Sequence, residues 1–254
     1  MSEHPAVLVI AGSDSSGGAG VTRDIRVLTE CGIDALCAVT AVTSQTHSRT
    51  GRIHHIPATL VAEQIAAAFE SRAIHALKIG MLGTAATVEA VAASLPDSAP
   101  PIVMDPVLVA SSGGVLLDDS GIEAMRQLLL PRTTLFTPNI PEAATLLGEP
   151  PAEDVSTLLQ QAQRLLQLGP RAVLLKGGHA EGEEAVDVLV WGNGDSLLLA
   201  SPRVTLQKRG TGCALASAAA AALARGATTN DACRAAKRYI VDWFSTSVRA
   251  AVNA

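Results

Sequence analysis

The run Ala6–Ala11, AVLVIA, constrains this chain more than any other feature. Six consecutive apolar residues without alternation suit a strand covered on both faces, and such strands belong to parallel sheets. A Gly/Ser loop follows, then a helix expected over about Val21 to Cys31, with Gly32 as its C′ stop. The alternation continues down the chain. Strands are expected at Ala35–Thr43, Leu77–Met81, Ile102–Asp105, Thr134–Thr137 and Ala172–Leu175. Helices are expected at Pro57–Ser71 with proline at N1, and at Thr84–Leu95, Ser120–Leu130, Pro141–Leu147 and Val155–Leu168. Val186–Trp191 and Ser196–Ala200 flank GNGD, a turn signal, and read as an antiparallel hairpin at one edge of the sheet. The last part is helical, Cys213–Ala224 and Asn230 to about Val252. This order predicts a single α/β domain over residues 1–254, with a central mostly parallel sheet and helices on both faces.

Composition narrows the function classes. Hydrophobic residues are 48% of the chain and aromatics only 2%, so aliphatic side chains fill the core and stacking platforms for nucleic-acid bases are not expected. A net charge of -5 without a basic run argues against tracking a phosphate backbone. The start, MSEHPAVLVIAG, lacks the basic flank of a signal peptide, and no apolar run reaches bilayer length. The expectation is a soluble cytoplasmic protein with neither nucleic-acid nor membrane partners. Four cysteines, at 31, 37, 213 and 233, make no CxxC pair and no zinc spacing.

In sheets of this class, ligands sit at the carboxyl ends of the strands, in the loops that follow. Several such loops carry chemistry. AGSDSSGGAG, Ala11 to Gly20, is either a tight strand-to-helix connection or a cradle of backbone amides. It matches neither the Walker A nor the Rossmann spacing. Asp105 in VMDPVL is a turn residue or a metal or base site. In TPNIPEA, Asn139 and Glu142 either cap the next helix or meet a hydrated Mg²⁺, which keeps waters and needs few carboxylates. Lys176 in LLKGGH either snorkels to solvent or waits for phosphate. Gly210, Thr211 and Gly212 bring backbone N–H groups to the start of a helix, an arrangement that would hold a transferring phosphoryl group. Cys213 stands at the same helix end. It is either a small buried residue or a thiol of lowered pKa that accepts a proton from a substrate hydroxyl.

The combined order of AGSDSSGGAG, KIGML at Lys78–Leu82, MDPV at Met104–Val107, TPNIPEA, LLKGGH and GTGC resembles the ribokinase-like superfamily. Within it, the chain is similar to the hydroxymethylpyrimidine/phosphomethylpyrimidine kinases of thiamine biosynthesis, over nearly its whole length. The resemblance implies a three-layer ribokinase-like fold, ATP and Mg²⁺ as cofactors, a small pyrimidine substrate and a homodimer. It implies that Gly12, Asp24, Gln45, Met81 and the Val107 backbone line the pyrimidine pocket. Asp105 and Glu142 would act around Mg²⁺, and Lys176, Asn139 and Thr211 would face ATP. Gly210, Thr211, Gly212 and Cys213 would form anion hole and base. The chain departs from the family pattern at Thr22, Arg23, Thr46, His47, Ser111 and Arg209. Of these, Arg23, His47 and Arg209 are cationic or ionisable and could meet a substrate phosphate or simply face solvent.

Three rival readings are open at this point. Pyridoxal kinases of the same superfamily also act on a small ring bearing a hydroxymethyl group. A ligand-binding homologue would keep the fold without turnover. A thiol acyl-transfer enzyme would need a histidine near Cys213, for which His179 is the one candidate in these loops. Ala110–Gly114 has the composition of a mobile lid.

Overall fold

The computed structural model describes residues 4–46, 49–109, 114–178, 184–203 and 209–252, with side chains through residue 245. His47, Ser111, His179 and most of the expected lid at Ala110–Gly114 lie outside the described residues. The strands are β1 (Ala6–Asp14), β2 (Asp34–Gln45), β3 (Thr50–His55), β4 (Ala76–Ile79), β5 (Ile102–Met104), β6 (Leu135–Phe136), β7 (Ala172–Leu175), β8 (Glu184–Trp191) and β9 (Asp195–Pro202). The helices are α1 (Gly20–Glu30), α2 (Ala58–Ser71), α3 (Ala85–Ser94), α4 (Asp119–Leu128), α5 (Ile140–Leu147), α6 (Val155–Leu166), α7 (Thr211–Ala224) and α8 (Thr229–Val252).

One sheet takes all nine strands in the order β3-β2-β1-β4-β5-β6-β7-β8-β9. From β2 to β7 every pairing is parallel, while β3 against β2 and the β8–β9 pair against β7 are antiparallel. The antiparallel edge hairpin and the parallel centre are as the pattern predicts.

The sheet is buried from both sides because β1 is apolar at every early position. Leu8 and Ile10 join a core with α2 to α6 on one face, including Ile65, Val88, Met125, Leu146 and Leu165. Val7, Val9 and Ala11 join a second core with α1, α7 and α8 on the other, including Leu28, Leu215, Ala219 and Ala232. Successive strand side chains point to opposite faces, so one unbroken apolar run serves both cores. The result is the expected three-layer α/β architecture.

Four details differ from the sequence reading. Strand β3 has no counterpart in it: TGRIHH sits at an edge, half-buried or exposed throughout, and lacks the apolar face that periodicity detects. Strand β1 runs on to Asp14, so Gly12–Asp14 extend the sheet instead of opening the loop. Pro57 is the N-cap of α2 and not its first helical residue. Helix α7 begins at Thr211, so Thr211, Gly212 and Cys213 form its first turn instead of a loop ahead of it.

Candidate active site

The carboxyl ends of β1, β4, β5, β6 and β7 meet the amino end of α7, and most candidate residues gather there. Gly210 precedes α7 with φ +75, a left-handed conformation that favours glycine, and any side chain on it would collide with the Gly18 carbonyl. The first glycine loop and the GTGC turn therefore touch through bare backbone. Among the described residues no side chain caps the start of α7. The N–H groups of its first turn consequently point out of the helix end, where the dipole favours an anion.

Beneath that turn lies Lys176, which leaves β7 with its backbone held by the Pro138 carbonyl. Its Nζ donates to Asp105 Oδ1 at 2.7 Å, and Thr137 Oγ1 also donates to that oxygen, at 3.4 Å. A Cβ on Gly212 would sit 3.0 Å from Lys176 Nζ and 3.3 Å from Asp105 Oδ2. The absence of a side chain there lets the helix end rest directly on the ion pair. Burial works against the Lys176 charge, but Asp105 and then Glu142 outweigh it, so its pKa is raised.

Glu142 and Asn139 form the expected capping box at α5. Asn139 Oδ1 accepts from the Glu142 N–H at 2.8 Å, and Glu142 Oε2 accepts from the Asn139 N–H at 2.9 Å. Both side chains thus have structural work. Glu142 has a second property that capping does not require. Burial pushes its carboxyl up to about 7, opposed by Lys176 and reinforced by Asp105. Two buried carboxylates facing one lysine leave an excess of negative charge suited to a cation. Among the described residues no group of three or more His, Cys, Asp or Glu side chains is placed to ligate a metal. A pair of carboxylates fits a hydrated Mg²⁺, not a dehydrated cage.

At the other end of the site, a Cβ on Gly12 would sit 2.9 Å from Met81 Sδ. Met81 packs with Ala41 and Leu116, and Ile53 and Val107 join them. Gln45 Nε2 donates to Thr50 Oγ1 at 3.0 Å, and its Oε1 accepts from Thr43 Oγ1 at 3.1 Å. The Gln45 backbone is tied to Ser15 in the glycine loop by a hydrogen bond in each direction. Gly12, Met81 and Val107 are thus near neighbours, while Gln45, the last residue of β2, is tied to the glycine loop and to β3.

Two expectations need correction. Asp24 does not face open space. It is fully buried, its Oδ2 accepting from Lys78 Nζ at 2.8 Å and its Oδ1 from Ser217 Oγ at 2.8 Å. Both oxygens are occupied inside the protein, so it cannot line a ligand pocket without losing them. Nor does the helix end lower the Cys213 thiol. Burial pushes it up to about 11, although Lys78 and the Gly20 N–H pull the other way. At neutral pH Cys213 is a thiol, not a thiolate.

Sequence reasoning missed the Lys78–Asp24–Ser217 chain. Its signal was a lysine inside the short apolar strand Ala76–Ile79, ALKI, whose four residues are all buried. It also missed the placement of Arg209, which donates to the Thr46 carbonyl and reaches Asp14 Oδ2 at 3.4 Å. Arg23 lies with its guanidinium 4.8 Å from the Trp243 ring centre, and its Nε donates to the Gly18 carbonyl of the glycine loop at 3.4 Å. A cleft of about 440 Å³ between β9 and α8 involves none of the candidate residues.

This arrangement has known counterparts. The profile of the phosphomethylpyrimidine kinase family matches residues 14–253. A hydroxymethylpyrimidine/phosphomethylpyrimidine kinase of Rhizobium meliloti (strain 1021) is 38% identical over 92% of this chain and 88% of its own. The crystal structure of phosphomethylpyrimidine kinase from Clostridium difficile 630 superimposes with a TM-score of 0.80 at 34% identity, covering 93% of this chain and 98% of the other. The ADP complex of Bacillus subtilis pyridoxal kinase gives 0.85 at 30% identity, covering 93% and 90%. With a match that begins inside the first glycine loop and runs through α8, the chain belongs to the phosphomethylpyrimidine kinase family.

Proposed function

We propose that this protein transfers the γ-phosphoryl group of ATP to 4-amino-5-hydroxymethyl-2-methylpyrimidine and to its monophosphate, in thiamine diphosphate biosynthesis. The observation that carries this reading is the stack of Lys176, Asp105 and the uncapped start of α7 around Gly212. One cation, one acid and a ring of backbone donors converge where a transferring phosphoryl group would sit. Phosphoryl transfer asks for positioning and charge stabilisation more than for covalent help.

In this reading the N–H groups of Thr211, Gly212 and Cys213 bind the equatorial oxygens of the γ-phosphoryl group. Lys176 turns from Asp105 toward the β- and γ-phosphates as negative charge arrives, and Asn139 flanks the nucleotide from the start of α5. Asp105 and Glu142 would hold Mg²⁺ through water. The metal, when bound, would neutralise charge on the phosphates. Gln45 recognises the ring, because its amide both donates and accepts; for that it exchanges its contacts with Thr43 and Thr50. Gly12, Met81 and the Val107 backbone border the ring. Cys213 stands at the hydroxymethyl group as a neutral thiol. As such it orients the nucleophile without taking its proton, which passes to a phosphoryl oxygen as the bond to phosphorus forms, so its contribution is modest beside that of the anion hole. A homodimer in the cytoplasm, with residues 1–254 as one kinase domain, completes the proposal and rests on the family resemblance.

Pyridoxal is the second reading, favoured by the likeness to the Bacillus subtilis pyridoxal kinase structure. ADP release from the purified protein with Mg-ATP, measured separately on the pyrimidine alcohol, its monophosphate and pyridoxal, decides between them. Turnover of both pyrimidines is the expected result. Pyridoxal as the best substrate would replace the first reading by the second, and no turnover on any of the three would overturn both.

A further inference from the structure

The site contains four cationic side chains that the structure describes, and three of them are well partnered. Lys78 is closed on Asp24 at 2.8 Å, Lys176 on Asp105 at 2.7 Å, and Arg23 lies against Trp243. Arg209 differs. Its side chain is 15% exposed, yet its salt bridge to Asp14 Oδ2 is stretched to 3.4 Å. The other Asp14 oxygen is already taken by the Ser16 N–H and hydroxyl, each at 2.8 Å. One Nη donates to the Thr46 carbonyl. Arg209 Nε is buried and finds no hydrogen-bond partner among the described residues. A largely buried guanidinium with one long ionic contact and an unused donor is destabilising unless something else completes it.

Its position says what would complete it. Arg209 immediately precedes Gly210, whose backbone lies against Gly18. Its guanidinium crosses from the phosphate-facing turn to Asp14 on β1 and to Thr46, the residue after Gln45. It therefore spans the gap between the anion hole and the ring-binding end. A bare hydroxymethyl group offers it nothing. A phosphate on the same carbon offers several acceptor oxygens and up to two negative charges, which a guanidinium binds in bidentate fashion.

Resting on the reading given under Proposed function, we propose that Arg209 is the specificity-determining residue for the second phosphorylation, binding the phosphate of the monophosphate substrate. On arrival of that phosphate the long contact to Asp14 is given up, and the unused Nε together with Nη2 takes the phosphate oxygens.

The test is steady-state kinetics of the wild type, Arg209→Ala and Arg209→Lys on the pyrimidine alcohol and on its monophosphate, at saturating Mg-ATP. A charged hydrogen bond of about 1.5–3 kcal/mol corresponds to roughly 10- to 100-fold. The ratio of kcat/KM for monophosphate over alcohol is expected to fall by that factor in Arg209→Ala, with the change in KM. Arg209→Lys, which keeps the charge but not the fork, is expected to recover part of it. Equal losses on both substrates would make Arg209 a strut between loops and overturn the proposal, as would an unchanged ratio. A wild type that turns over neither pyrimidine would overturn the functional reading itself, and that outcome is visible before any substitution is made.

Discussion

Two lysine–aspartate pairs flank the start of α7, with nearly equal distances and opposite surroundings. Lys78–Asp24 is sealed, both side chains at 0% exposure, and Ser217 fills the remaining oxygen of the carboxylate. Lys176–Asp105 lies at 13% and 4% exposure, with one carboxylate oxygen facing the space over Gly212. The first joins β4, α1 and α7 and has no vacancy for a ligand. The second has a donor and an acceptor that can change partners. Similar geometry thus serves two purposes: the sealed pair fixes where the helix end lies, and the open pair supplies charge that can follow a reaction. Ser217 is one helical turn beyond Cys213, so the sealed pair sets the depth of the thiol and of the N–H groups beside it.

The comparison can be broken by removing one lysine at a time. Lys78→Met leaves Asp24 as an uncompensated buried charge and is expected to lose about 3–5 kcal/mol of unfolding free energy in urea. Lys78→Met with Asp24→Leu should restore most of it. If the single variant is as stable as wild type, the sealed pair does not hold α7. Lys176→Met should behave oppositely. Its unfolding free energy is expected to move by about 1–2 kcal/mol, while kcat falls roughly 10²- to 10³-fold, as when a donor to a developing charge is lost. A kcat within threefold of wild type would remove Lys176 from the transition state.

Two smaller effects sharpen the contrast. With a thiol pushed up to about 11 by burial, Cys213 should react with iodoacetamide at pH 8 about a hundredfold more slowly than a simple free thiol. Exposed Cys37 serves as an internal control for reagent access. Rapid labelling of Cys213 at neutral pH would restore the preformed thiolate. The smallest effect concerns Glu142, whose carboxyl rises to about 7 in the folded protein from 4.5. A raised folded value means that the native state binds the extra proton between those limits. The stability this carboxyl contributes is full below about 4.5 and is lost as pH rises through 7. Glu142→Gln keeps the capping acceptor. In EDTA it should therefore gain on wild type by on the order of 2 kcal/mol between pH 4.5 and pH 8, measured by urea unfolding. A pH-independent difference would mean that the carboxyl titrates normally.

Much of this was legible in the residues. The unbroken apolar run of β1 announces a strand covered twice, and GNGD announces the edge hairpin. Asn139 followed by Glu142 three positions on announces a capped helix. Each of these rests on local pattern. What was not legible depends on partners far apart in sequence. Lys78 finds Asp24 54 residues away and Asp24 finds Ser217 193 away. No periodicity encodes either meeting, although a lysine inside ALKI marks that some partner must exist. Strand β3 was illegible for a different reason: an edge strand with no buried face carries no alternation. The Cys213 thiol was misjudged because the helix dipole can be read from sequence whereas burial cannot, and at this position burial is the larger effect.

Helix α7 is alanine at 214, 216, 218–222 and 224, and of these only Ala222 is not buried against the neighbouring elements. Side chains this short give the helix no compliance: there are no long rotamers to rearrange between it and the sheet. It works as a rigid shim under the GTGC turn. One added methyl group at Ala216, about one turn from the N–H donors, would be transmitted to them as a displacement instead of being absorbed on the way.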